Sequence, residues 1–288
     1  MKYSYYPGCS LHTTAKEFDM STKVVMDELG IELKELNDWS CCGGSVAAGV
    51  SHDVGMAMAA RNVALAQKEN LDLLASCSGC YNKSARALKA LDNETEKERI
   101  NAILSEMGIS VSEYNIRVRN VVDVLANDLD ISPHIKKPLT GLKVACYYGC
   151  LLTKPADITG WDSPVFPMSM DKLSEICGAE VVDFRSKTKC CGGPILVSKQ
   201  DVAFDLTKKL LDEAKSLGAD CIVLACPLCA TNLELRQPDI EKKYNVSYNL
   251  PILYITEIIG LALGIKTGKL GLNKHIVSPK PVLAKLGL

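Results

Sequence analysis

The chain has 288 residues, 47% of them hydrophobic and 23% charged, with a formal net charge of -1. That length accommodates about two domains of ordinary size, and the apolar fraction lets each bury a core, which excludes a disordered chain. Near-neutrality gives no electrostatic reason to expect nucleic acid or an anionic membrane as partner.

In chain order, the first nine residues carry no apolar stretch of the kind a secretion signal needs, and residues 3–6 read as a strand ending at the Pro-Gly that presents Cys9. A helix follows from Thr14, with Phe18, Val25 and Leu29 on one face and Gly30 as its stop. Ile31 and Leu33 alternate with Glu32 and Lys34 as in a half-buried strand, which leads to Trp39 and to Cys41-Cys42-Gly43-Gly44. Ser51 or Asp53 caps a helix running to about Lys68, with Met56, Ala59, Ala60 and Val63 inward. Residues 71–76 form a short apolar strand between helices, as in a parallel sheet; it delivers Cys77 and Cys80 to the start of a helix at Tyr81. Residues 92–99 read as a solvated segment before a helix around residues 121–125.

A linker through Ser132, Pro133 and Pro138 separates two expected domains, residues 1–132 and 139–288. The second replays the order of the first. Residues 142–145 form a strand, residues 169–177 a helix stopped by Gly178, and residues 180–184 a short strand before Cys190-Cys191-Gly192-Gly193. Residues 201–217 are amphipathic, with Leu206, Leu210, Leu211 and Ala214 inward, and residues 221–225 are a buried strand delivering Cys226 and Cys229. The apolar run 250–265 contains Thr256 and Glu257 and falls short of the roughly 20 residues of a membrane span, so a buried helix is expected there and no membrane span. The tail after Lys266 reads as an extended arm.

The two halves are an internal repeat: positions 41, 42, 77 and 80 recur as cysteines at 190, 191, 226 and 229, a shift of 149 in every case. Cys9 recurs as Cys150, a shift of 141, so the second half holds eight extra residues, assigned to residues 151–168. Ten of thirteen cysteines repeat; Cys146, Cys177 and Cys221 do not and read as small buried hydrophobes. Clustered cysteines in a chain without a secretion signal point to a reducing compartment and to metal rather than disulfides. Zinc closes its shell with four ligands, so a fifth thiolate is surplus. Adjacent cysteines could instead ligate different irons of an extended cluster. Spacing alone favours iron–sulfur over zinc and over a redox dithiol, without eliminating either.

With these motifs, C…CCGG…CxxC in each half, the chain resembles the two CCG (cysteine-rich) domains found in the B subunit of heterodisulfide reductase, over nearly its whole length and including residues 251–264. The resemblance implies two pseudo-symmetric α/β domains, each a small parallel-strand unit with a cluster at the C-terminal ends of its strands. It also implies two noncubane [4Fe-4S] clusters, one held by Cys9, Cys41, Cys42, Cys77 and Cys80, the other by Cys150, Cys190, Cys191, Cys226 and Cys229. The implied reaction is reduction of the CoM-S-S-CoB disulfide to coenzyme M and coenzyme B in methanogenesis. The implied partners are an iron–sulfur C subunit and a flavin-containing A subunit, in a larger cytoplasmic complex with a hydrogenase or formate dehydrogenase. The clusters rather than any side-chain acid or base would carry the chemistry.

Two alternatives stand beside this expectation. One is a CCG subunit of a different reductase or dehydrogenase, acting on fumarate, succinate, lactate or quinone; the other is a zinc-stabilised scaffold. Among the remaining residues, His12 is the one near the motifs, where a proton-donor role stands against the more ordinary one of a surface or capping residue, while His52, His134 and His275 look unexceptional. Lys83, Arg86, Lys187, Lys189, Lys199 and Arg236 flank the motifs and could meet an anionic substrate.

Overall fold

The computed structural model describes residues 1–44, 46–111 and 113–288. Short apolar runs between helices fold as parallel strands because helices cover both faces of such a sheet, and the chain makes two of these sheets. The first contains β1 (Lys2–Tyr6), β2 (Glu32–Glu35), β3 (Leu73–Ala75) and β4 (Val118–Asn120), in the order β2-β1-β3-β4. The second contains β5 (Lys143–Tyr147), β6 (Glu180–Val181), β7 (Cys221–Leu224) and β8 (Ile252–Tyr254), in the order β6-β5-β7-β8. Every pairing is parallel. Register repeats with topology: Tyr6 pairs with Ala75 and Ala75 with Asn120, as Tyr147 pairs with Leu224 and Leu224 with Tyr254. The α/β pseudo-symmetric architecture expected from the repeat is the one observed.

Several elements differ from the sequence reading. The helix after Cys77 spans Ser78–Ala90, three residues earlier than expected, because Cys77 in extended conformation is its N-cap and Cys80 lies in its first turn. Residues 92–99 are solvated as expected, and most of them are helical: Asn93 caps a helix, Glu94–Ser105, by accepting from Glu96 N–H at 3.1 Å. Its Ile100 and Leu104 pack with Ala57, Ala60, Ala64 and Ala87 in a small second core. In the apolar run 250–265, the first residues form β8 and only Ile255–Ala262 is helical, all eight residues of it buried. The tail is no extended arm. It folds into short helices, Thr267–Leu270 and Lys280–Lys285, with Leu270, Leu272 and Val282 buried.

The halves share one continuous core. Phe18 of the first stacks on Tyr254 of the second, centroids 4.1 Å apart and rings nearly parallel. Nearby, the Ser21 and Thr256 hydroxyls meet at 2.7 Å. Elsewhere along the boundary, Asn82 donates to the carbonyls of Leu151 and Lys154 at 2.9 and 2.6 Å, and Trp161 Nε1 donates to Tyr81 Oη at 3.1 Å. Leu151, Lys154 and Trp161 belong to the segment assigned the extra residues, so that segment clamps one half to the other.

Candidate functional site

The site is assembled at the C-terminal ends of the central strands, where open α/β sheets place their ligands. In the first half β1 ends at Tyr6, and Gly8, at φ +72°, turns the chain into the helix Gly8–His12 that carries Cys9. Gly149, at φ +70°, immediately precedes Cys150 in the same way. Both glycines are demanded by close approach as well as by torsion: a Cβ on Gly8 would sit 2.7 Å from Cys80 Sγ, and one on Gly149 3.2 Å from Cys229 Sγ.

The tyrosine ending each central strand ties down the cysteine turn. Tyr6 Oη donates to the Ser40 carbonyl at 2.8 Å and Tyr147 Oη to the Lys189 carbonyl at 2.7 Å, in each half the residue just before the Cys-Cys pair. Motif reading misses these buried tyrosines. Their signal is present in the sequence, since 6 and 147 differ by the same 141 residues as Cys9 and Cys150.

All ten repeated cysteines are brought together. In the first half Cys42 Sγ lies 3.5 Å from Cys80 Sγ. Cys41 and Cys42, like Cys77 and Cys80, shift one another's protonation, and Cys9 lies exposed at the rim near Cys41. In the second half Cys191 Sγ lies 3.5 Å from Cys229 Sγ, and Cys190 and Cys150, like Cys226 and Cys229, are free thiols that shift one another's protonation. The two groups also meet. Cys77 and Cys226, equivalent under the repeat, shift one another's protonation across the boundary, where Ser78 Oγ and N–H both donate to the Ala225 carbonyl, at 2.8 and 3.3 Å.

Hydrogen bonds set the protonation of these thiols. The Cys42 thiol is held down to about 3 by its neighbour Cys41, then by Cys80, with the Gly44 N–H adding to it. In the second half donation from Cys150 lowers Cys190 to about 6, and the Gly192 N–H reaches its sulfur at 3.3 Å. The neighbouring Cys229 lowers Cys191. A Gly-Gly turn that aims amides at sulfur therefore favours thiolate, the form that binds metal.

An all-sulfur donor set with peptide amides beside it suits iron–sulfur chemistry. Among the described residues no three His, Cys, Asp or Glu side chains converge on a position that would hold a single ion. The sulfurs form a chain of contacts instead. The three unrepeated cysteines, Cys146, Cys177 and Cys221, are fully buried, as expected of small hydrophobes, and burial pushes their thiols up.

The flanking charges sort differently from their expectation. Lys187 is buried, paired to Asp171 at 2.6 Å and 5.2 Å from the Phe166 ring centre, so it is committed to the fold. Arg236 pairs with Asp239 at 3.1 Å. Lys189 and Lys199 are exposed. Lys83 and Arg86 line a cavity of about 380 Å³ together with His52. His12 packs edge-on against Trp39 and pairs with Glu35 at 3.2 Å. His275, unexceptional in the sequence, has its side chain completely buried between two glutamates.

Fold and site together define a two-unit, cysteine-rich α/β protein with both cysteine groups at one boundary. The chain belongs to the cysteine-rich (CCG) domain family, whose pattern matches residues 3–83 and 144–234. It is 34% identical over 277 residues to the 8-methylmenaquinol:fumarate reductase membrane anchor subunit of Wolinella succinogenes, covering 96% of this chain and 97% of that one. It is 31% identical over 295 residues to the B subunit of the ferredoxin:CoB-CoM heterodisulfide reductase of Methanosarcina mazei, covering 99% and 97%. The crystal structure of a hypothetical protein from Helicobacter pylori shares the fold, with a TM-score of 0.77 at 18% identity over 96% of this chain; the chain spans 52% of that longer one. No helix among the described residues is long and apolar enough to cross a membrane.

Proposed function

We propose that this chain is the disulfide-reducing subunit of a heterodisulfide reductase, converting CoM-S-S-CoB to coenzyme M and coenzyme B in the cytoplasm. The observation that carries the reading is the pair of hydrogen bonds from Ser78 to the Ala225 carbonyl, which join the residue after Cys77 to the residue before Cys226 and so turn both cysteine groups toward one place between the halves. Residues 1–132 and 139–288 act as two domains. Cys9, Cys41, Cys42, Cys77 and Cys80 in one, and Cys150, Cys190, Cys191, Cys226 and Cys229 in the other, each hold a noncubane [4Fe-4S] cluster. When bound, two such groups supply the two electrons a disulfide needs, one each. The chain's own residues position the reaction: Gly8 and Gly149 leave room beside the sulfurs, and Lys83 and Arg86 offer cationic partners to an anionic substrate. An iron–sulfur C subunit and a flavin-containing A subunit deliver the electrons, in a complex with a hydrogenase or formate dehydrogenase.

The similarity to a fumarate reductase subunit favours a second reading, in which the same site passes electrons between quinol and a fumarate-reducing partner. Protein purified without oxygen and assayed with reduced viologen separates the two. Oxidation of viologen by CoM-S-S-CoB, together with about four iron and four sulfide per half, supports the first reading. Turnover with quinone or fumarate alone supports the second, and stoichiometric zinc without sulfide overturns both.

A further inference from the structure

A glycine inside a helix calls for a physical reason, because it costs conformational entropy that alanine does not. Gly79 lies in the first turn of the helix Ser78–Ala90, between Cys77 and Cys80, and is not among the glycines with positive φ. A Cβ there would make only ordinary contacts, 3.6 Å from Cys77 Sγ and 3.9 Å from Leu151 Cδ1 of the other half. Neither torsion nor crowding demands glycine at this position. What the missing side chain leaves is a gap beside Cys77 Sγ, walled on its far side by Leu151.

The repeat supplies an internal control. Position 79 recurs at 228, a shift of 149, and the residue there is leucine. Leu228 folds over the second Gly-Gly turn: the place a Cβ would take on Gly193 lies 2.7 Å from Leu228 Cγ and 3.4 Å from Cys191 Sγ. Gly193 is buried beneath it, whereas Gly44, its equivalent in the first half, is exposed. The rims differ in the same sense, with Cys9 exposed and Cys150 half-buried. One five-cysteine group therefore accepts a large side chain at this position and the other carries none, so the gap is no requirement of such a group. It serves something that comes from outside.

The helix that carries the gap also indicates what comes. Lys83 and Arg86 follow Gly79 at i+4 and i+7 on one face, and the Cα–Cβ bonds of a helix tilt toward its N-terminus, here back toward Gly79. Both line a cavity of about 380 Å³. In the same wall Glu96 is taken by Arg99 at 3.3 Å and Lys89 by Asp157 at 2.8 Å, which leaves Lys83 and Arg86 to an external anion. With a rise of about 1.5 Å per residue they stand roughly 6 and 10 Å along the helix from Gly79. The ligand class is a sulfur compound with an acidic group within about 10 Å of its sulfur.

We propose that the gap at Gly79 is the port by which an anionic organic disulfide reaches the first cysteine group, its acidic end held by Lys83 and Arg86, and that Leu228 closes the equivalent approach in the second half. The halves are then unequal, and the substrate meets the first group before the second. The inference rests on the disulfide-reductase reading for its substrate.

Gly79→Ala fills the port with one methyl group that the fold accommodates. Its melting temperature is expected to be no lower than that of the wild type, with unchanged iron, sulfide and uptake of electrons from reduced viologen. KM for CoM-S-S-CoB is expected to rise about ten- to hundredfold, the equivalent of overpacking by one side chain. The change that coenzyme M alone produces in the EPR spectrum of the oxidised protein is expected to need correspondingly more thiol. Unchanged KM and thiol response overturn the port, and so does loss of iron or stability, which would assign the glycine to the fold. Leu228→Ala tests the other half without turnover. Iron release from the wild type to a chelator is expected in two equal phases, the slower one accelerated in the variant; a single phase, or a variant identical to the wild type, overturns the closure. Wild-type protein whose spectrum responds to coenzyme M but which never reduces the disulfide supports the port and overturns the functional reading.

Discussion

Gly8 and Gly30 share a backbone torsion, φ +72° and +73°, and have opposite significance. Around Gly30 nothing lies within 4 Å of an added Cβ, whereas at Gly8 the Cβ would meet Cys80 Sγ at 2.7 Å. Gly30→Ala is therefore expected to cost only left-handed strain, about 1–2 kcal/mol, with full iron and sulfide content. Gly8→Ala is expected to cost at least as much and to lose about half the iron, because the displaced sulfur belongs to one of two equal groups; metal analysis beside urea unfolding separates the outcomes. The repeat makes Cys9 and Cys150 visible in the sequence. It cannot show that Gly8 touches Cys80, residues 72 positions apart, since that contact exists only when β1 lies beside β3.

At the level of elements, the most instructive differences lie where periodicity carries little information. β4 and β8 have three residues each, too few to display an alternation, and Ile252–Tyr254 merges in sequence with the apolar helix behind it. Register against β3 and β7 decides that both are strands. The helix Glu94–Ser105 presents only Ile100 and Leu104 as fully buried residues, and its charged start reads in the sequence simply as a solvated segment. Residues 151–168 are legible as an insertion but not as a clamp. Asn82→Ala removes two hydrogen bonds to that segment and is expected to destabilise by about 1–3 kcal/mol. A separate early unfolding transition of the second half, in denaturant followed by two probes, is the accompanying signature, and coincident transitions at wild-type stability would contradict the clamp.

For the whole molecule, the buried charges make stability depend on pH. His275 binds its proton more tightly when folded, with its pKa pushed up to about 11. The stabilisation it brings is complete below about 6.5, the unfolded value, and is lost as pH rises through about 11. Glu17 and Glu257 are also raised, so ionising them above the ordinary carboxylate range costs the folded state and acts in the same direction. The urea midpoint is expected to fall between about pH 7 and 10, and to fall less steeply in His275→Gln; equal slopes would show that the cluster does not bind its proton more tightly on folding.

The sequence by itself determined the repeat, the sorting of ten cysteines from three, the parallel α/β class and the two Gly-Gly turns, because each depends on local spacing or on identity at a fixed offset. Only the tertiary structure decided that Cys77 faces Cys226, that Tyr6 and Tyr147 fasten the turns, and that His275 lies among Glu17, Glu234 and Glu257. No local pattern encodes these interactions between positions far apart in the chain; they follow from the packing of helices of one half against helices of the other, which brings distant side chains into a shared interior of low dielectric.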